Sequence, residues 1–297
     1  MIQEKQNQIE VVGYLSEVDL KDGSKDGKDY IAGTIKIKTE EAIGGKNVPI
    51  EIPFNVFSYN VTSKGNSNPA YESLQTVRDN MISVAACGST EGATRVRVYT
   101  NKGGIKENAF INKQGQLINS ARLNGSFFNY ANSNQENCAK FETVIFILAI
   151  KDEVNRDGEL TDRIIIDGGF VNYNGELQVV PFVVANKDAI THIKTYWKDG
   201  DTVKVFGKIA YTYEVETITE EVGFGEPVTK QKTVSHKEFL ITSGSPAALD
   251  PEESFNNDDI VSALAERKRN QDQLKAEFEM KSQKGRNTTP TASQYGF

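Results

Sequence analysis

Arg95-Val96-Arg97-Val98-Tyr99 and Thr202-Val203-Lys204-Val205-Phe206 are two writings of one short strand, about a hundred residues apart. In each, two valines alternate with a basic residue and the stretch closes on an aromatic ring. Such period-2 alternation marks a half-buried strand with one apolar face. The opposite face offers charge for a phosphate and a flat ring for a base, the two needs of single-stranded nucleic acid. A strand of this kind, written twice, makes the chain a tandem of β-rich binding modules.

The flanking sequence extends the pattern. Upstream, Ile9, Val11, Gly13 and Leu15 share one parity, followed by Ile35 and Ile37, then Ile50, Ile52, Phe54 and Val56. Between them, Asp22-Gly23, Asp26-Gly27 and Gly44-Gly45 are turn chemistry. From Pro69 to Ala86 alternation lapses. Leu74, Val77, Met81 and Ile82 fall near helical spacing there and predict a helix before the fourth strand.

The order then recurs. Leu123-Asn124-Gly125-Ser126-Phe127 aligns with Val11-Val12-Gly13-Tyr14-Leu15, and Val144, Phe146 and Leu148 form a second strand. Residues 164–171 and 177–184 make a hairpin around Asn174-Gly175, and 188–197 a short helix. The anchors repeat at offsets of 112 (Gly13 to Gly125) and 107 (Val96 to Val203).

Three strands, a helix, a strand and a final strand or hairpin is the order of an OB-fold, a five-stranded Greek-key barrel. A pair of β-sandwiches is the competing arrangement, and the helix before the fourth strand favours the barrel. The expected fold is therefore mainly all-β, with two tandem OB-fold-like modules at 6–116 and 117–244. Residues 245–297 are expected to hold a linker, a charged helix over 258–280 capped by Asn256 or Asn257, and a disordered tail from Gln283.

Composition narrows the function classes. The 297 residues are 38% hydrophobic and 25% charged, an ordinary polar chain with room for two domains. A net charge of −7 argues against a broadly basic binder but leaves a local cationic groove open. Two cysteines, Cys87 and Cys138, make no disulfide framework and fit a reducing compartment, so the sequons at Asn60, Asn124 and Asn287 carry little weight. No charged-then-apolar leader follows Met1 and no apolar run is bilayer length; the cytoplasm is the expected compartment, that of a bacterial host if phage-encoded.

His192 and His236 lack metal-like spacing, and Gly103-Gly104 lacks the lysine–hydroxyl pair of a phosphate loop. No catalytic residue, metal or cofactor is expected.

Tyr196-Trp197-Lys198-Asp199-Gly200-Asp201, leading into Val203-Lys204-Val205-Phe206-Gly207-Lys208-Ile209, is the most specific segment. It resembles the helix end and fourth strand of bacterial and phage single-stranded DNA-binding proteins, with the turn at Lys198-Asp199-Gly200 and the closing triplet Gly207-Lys208-Ile209. The Leu123-Asn124-Gly125 start, with residues 141–150 after it, resembles that family's first two strands. The resemblance spans about 120 residues of the second module and, more faintly, the first.

It implies sequence-independent coating of single-stranded DNA in phage replication or recombination. It also implies replication or recombination proteins as partners, through the C-terminal helix or tail. The terminus Ser293-Gln294-Tyr295-Gly296-Phe297 keeps an aromatic tip but lacks the acidic run of the bacterial members. A structural component such as a virion protein built from two β domains is the alternative.

The candidate DNA contacts follow from parity. Lys36, Lys38, Arg95, Arg97, Lys204 and Lys208 lie on the polar faces of their strands, with Tyr99 and Phe206 beside them. Phe57 and Tyr59 point opposite to Phe54 and Val56. Arg122, Phe128 and Tyr130 share a parity that faces away from Leu123 and Phe127. Trp197 is assigned to the core or to the module interface.

Overall fold

The computed structural model describes residues 2–43, 45–155, 157–220 and 228–286; the expected tail beyond Arg286 lies outside them. The chain is mainly β. Strands β1 (Asn7–Lys25), β2 (Lys28–Ile43) and β3 (Lys46–Tyr59) form a meander, then come helices α1 (Pro69–Asn80) and α2 (Val84–Cys87) and strand β4 (Arg95–Thr100). A hairpin of β5 (Ile105–Ile111) and β6 (Leu117–Leu123) precedes the short β7 (Phe128–Tyr130). Then β8 (Cys138–Val154), β9 (Leu160–Val171), β10 (Leu177–Val184), α3 (Lys187–Tyr196), β11 (Thr202–Glu220) and β12 (Val228–Gly244) repeat the order, and α4 (Asn257–Arg286) closes the chain.

The second half is a closed barrel. β8 pairs with β9, β9 with β10, β11 with β12 and with β8, all antiparallel, and a parallel β10–β12 contact completes the circuit. This circuit, with a helix between third and fourth strands, is the five-stranded Greek-key barrel expected from the element order. The first half has the same plan: β1 pairs with β2 and β4, β2 with β3, and β7 with β4. Its β3–β7 gap is filled by side chains, with the Phe128 ring edge-on to Phe54 at 5.6 Å.

Register gives the repeat its true frame. The two copies of the alternating strand are the fourth strands of the two barrels: Val96 pairs with Gly13, and Val203 with Ile145. The residue equivalent to Gly13 is therefore Ile145, an offset of 132. Both first strands also shift register at the same place, between Leu15 and Glu17 and between Ile147 and Ala149. Gly125 is not the second Gly13, and Arg122 to Tyr130 does not open the second barrel. Leu123 ends β6 and Phe128–Tyr130 pairs with β4, whereas the second barrel opens at Cys138. The offset falls from 132 to 107 at the fourth strand: 18 of the 25 come from the link between third and fourth strands, 35 residues (60–94) against 17 (185–201), and 7 from the longer span between Gly13 and the end of β3.

The barrels are welded. β1 pairs antiparallel with β8 from Asn7↔Thr143 to Val12↔Cys138, so one sheet runs through both. The apolar parity of every strand points inward: Ile9, Val11, Leu15, Ile35, Ile37, Phe54, Val96 and Val98 join Ile145, Phe182, Val203 and Val205 in a single continuous core. Trp197 lies in that core and donates its indole N–H to the Ser245 carbonyl at 3.1 Å. Gly207 sits at a bulge where a Cβ would lie 2.1 Å from the Leu240 carbonyl oxygen, so only glycine lets β11 turn there.

Helix α4 begins where Asn256 accepts from the backbone N–H of Asp258 and Asp259, a side-chain cap with acids in the first turn. It runs to Arg286, past the expected end at 280. Ile260 and Ala263 pack with Phe255 on Val144, Phe146, Val171 and Leu177, a second apolar cluster on the outside of the second barrel.

Candidate nucleic-acid interface

The outer face of β2 and β3 gathers four of the residues singled out from sequence. Pairing places Tyr30 opposite Tyr59, Ala32 opposite Phe57, Thr34 opposite Asn55, Lys36 opposite Pro53 and Lys38 opposite Glu51. The inward partners of the same strands, such as Ile35, Ile37, Ile52 and Phe54, are fully buried, so alternation forces this set outward. At one end three rings touch. Tyr30 stacks on Phe57 at 5.1 Å, and Tyr59 stands edge-on to Phe57 at 4.9 Å and to Tyr30 at 6.2 Å.

Phe57 remains 56% exposed, a costly position for a phenyl ring that packs only against other surface rings. At the other end are two lysines. Lys36 bridges Glu17 at 2.6 Å and Glu51 at 3.9 Å, and its pKa is raised chiefly by the hydrogen bond to Glu17. Lys38 is exposed and, among the described residues, has no ion-pair partner. Rings, amides and cations thus follow one another along a single two-stranded stripe.

The repeated strand builds a different surface. On β4 the Arg97 guanidinium bridges Glu10 at 2.8 Å and lies 4.7 Å from the Tyr99 ring centroid. On β11, Lys204 bridges Glu142 at 2.5 Å and lies 5.2 Å from the Phe206 ring. Glu10 and Glu142 are register equivalents, since they pair with Tyr99 and Phe206. The β1–β8 pairing brings both copies onto one four-stranded face, with Lys140 opposite Glu10 and beside Lys208. Each repeated cation is already neutralised: Lys208 bridges Glu41 at 2.9 Å and donates to the Ala42 carbonyl. Arg97, Lys204 and Lys208 are thus paired, while Lys140 is exposed and has no ion-pair partner among the described residues; rings stand at the two ends of the face.

The remaining candidates scatter. Arg95 is a staple of the 131–137 loop, donating to the Asn132 carbonyl at 3.0 Å and to Asn137 Oδ1 at 2.9 Å, with further bonds to the carbonyls of Ser133 and Gln135. Phe128 is 3% exposed and belongs to the first barrel's core, because β7 is its fifth strand and the ring must close the β3–β7 gap. The solvent ring of that segment is Phe127, 46% exposed, opposite to the expected parity, while Tyr130 is 60% exposed at the strand edge. Arg122 is exposed on the β5–β6 hairpin opposite Lys106, whose pKa is lowered by burial and then by the Arg122 charge.

Tyr30 was missed by the sequence reading. It shares the parity of Lys36 and Lys38 across Ile31, Ile35 and Ile37, and that signal was available.

Among the described residues no group of three His, Cys, Asp or Glu is placed to hold a metal ion. His236 falls where side chains are not described.

Comparison with known proteins follows from this geometry. The model of a family described as YorF matches residues 5–277, nearly the whole chain, and the chain belongs to that family. No curated protein matches. Among solved structures, the wild-type single-stranded DNA-binding protein from Thermus aquaticus matches at a TM-score of 0.49 and 8% identity, over 82% of this chain and 94% of that one. A deletion mutant of the same protein matches at 0.47 and 9%, over 83% and 97%.

Proposed function

We propose that this YorF-family chain binds single-stranded DNA without reading its sequence, and that it coats strands exposed during replication or recombination. The observation that carries the reading is the Tyr30–Phe57–Tyr59 cluster on the outer face of strands two and three of an OB barrel, with Phe57 exposed and the two tyrosines half-buried beside it. That is the face on which OB-folds take oligonucleotides. Every base has a π-face, so stacked rings bind without sequence preference, at ~1–3 kcal/mol per base.

Lys38 and Lys36, further along the same stripe, supply the phosphate contacts; Lys36 must exchange Glu17 for phosphate to do so. Arg122 and Lys106 face each other on the hairpin between the fourth and fifth strands, where an OB-fold carries a binding loop. No step requires a metal, a cofactor or a catalytic group. The phage setting and the cytoplasmic location are parts of the proposal that rest on the sequence resemblance. No helix among the described residues is long and apolar enough to cross a membrane.

The test is a titration of fluorescein-labelled poly-dT followed by anisotropy, because Trp197 is buried and would report poorly. Binding should weaken with salt at a shallow slope, roughly −0.7 log units per phosphate contact for the few cations available. Absence of binding at low salt sinks the proposal. Competition with RNA and duplex DNA then fixes the substrate class.

A further inference from the structure

We infer that the strand is held by the first barrel alone, and that the matching face of the second barrel has become the seat of the C-terminal helix. This deepens the reading above and rests on it. The two barrels can be equated residue by residue from strand register. Gly13 pairs with Val96 as Ile145 does with Val203; Tyr14 faces Lys38 as Phe146 faces Gly169; and Lys36 faces Pro53 as Asp167 faces Pro181. The frame is checked by two further coincidences. Both first strands bulge at the equivalent step, and Pro53-Phe54 and Pro181-Phe182 place an outward proline beside an inward, fully buried phenylalanine in each barrel.

Within that frame the binding stripe has no counterpart. Lys36 is replaced by Asp167 and Lys38 by Gly169, and β10 ends at Val184, the place of Val56, so no strand continues where Phe57 and Tyr59 stand before α3 begins at Lys187. Thr34 and Asn55 are replaced by Ile165 and Val183. The ring trio is gone, and an acid stands where the first barrel has a lysine. Lys151 lies next to this face but is held by Asp167 at 2.5 Å, and Lys187 by Asp162 at 3.3 Å. Among the described residues, the second barrel's exposed rings, Tyr173 and Tyr196, lie in the β9–β10 turn and at the end of α3, off this stripe.

The far end of the face is also closed. Val171 and Leu177 occupy the places of Glu40 and Pro49, which are exposed in the first barrel, and they are covered by Phe255, Ile260 and Ala263. An apolar floor under a helix replaces a polar, open strand end. One copy of the duplicated face therefore binds, and the other anchors the chain's own C-terminal segment.

The experiment compares two double variants on the full chain with labelled poly-dT. Phe57→Ala/Tyr59→Ala should weaken binding by tenfold or more, while Lys151→Ala/Lys187→Ala should leave it within twofold. All four side chains are at the surface, and unchanged melting curves confirm that each variant folds. Photo-crosslinking to poly-dT with peptide mapping should place adducts on Tyr30, Phe57 or Tyr59 and none on residues 160–185. Equal weakening by the two pairs, or adducts on residues 160–185, would overturn the inference and leave strand binding intact. A wild-type chain that fails to bind poly-dT overturns both.

Discussion

At the residue scale, single side chains separate packing from binding. Phe128→Ala removes the ring that closes the first barrel against Phe54 and should cost about 3–5 kcal/mol in urea unfolding. Phe127→Ala, its exposed neighbour, should change stability little. The reversed parity was illegible in sequence. Alternation fixes which residues share a face within a strand, but the strand here begins only at Phe128, so counting from Arg122 carried the phase through a non-strand segment. Lys237 offers a second test. Its ammonium donates to the Ala121 carbonyl and faces the Tyr211 ring at 5.6 Å, and burial lowers its pKa to about 8. The unfolded chain therefore binds more protons between pH 8 and the usual lysine range near ~10.4, and stability should rise with pH in that window. Below pH 8 both states carry the proton and the cost of burying the cation is present in full. Lys237→Met should abolish this rise; urea midpoints across the window check it, and an unchanged difference between the two proteins would contradict it.

At the element scale, α4 is tied to both barrels through one carboxylate. Glu107 on β5 is 8% exposed; it accepts from Arg267 of α4 through Nε at 3.0 Å and through a second guanidinium nitrogen, and from the Val179 backbone N–H of β10 at 3.1 Å. Its own backbone N–H donates to Gln178 Oε1 at 3.3 Å. Removing one partner of such a buried pair strands the other, at about 3 kcal/mol or more. Glu107→Ala and Arg267→Ala should each lower stability and expose α4 to limited proteolysis. The double variant should cost less than the sum of the singles, and a strictly additive cycle would show that the pair does not couple. The helix was legible from its cap and composition, but its role was not. Ile260 and Leu264 pack in the cluster on the second barrel, while Val261 points outward. Which face a broken apolar stripe serves depends on what lies beneath it, and the sequence carries no record of that.

At the scale of the whole molecule, the β1–β8 pairing makes the two barrels one sheet with one core. Calorimetry should therefore show a single cooperative transition; two resolved transitions would mean that the weld is weak. A fragment starting at Cys138 should associate or aggregate, because it bares the β8 edge that β1 now covers. The barrel order, the repeated fourth strand and the inward valines were legible in the chain's residues, since these rest on local alternation, turn residues and helical spacing. It also held the Pro53-Phe54 and Pro181-Phe182 repeat, which register then gave meaning. That Arg97 and Lys204 meet acids across the sheet, that Arg95 staples a loop, and that Tyr30 joins Phe57 and Tyr59 came from the folded chain. Alternation tells a strand which way each side chain points, but the neighbour across the sheet comes from register between distant strands. Whether a surface cation is free or already paired is settled by that neighbour.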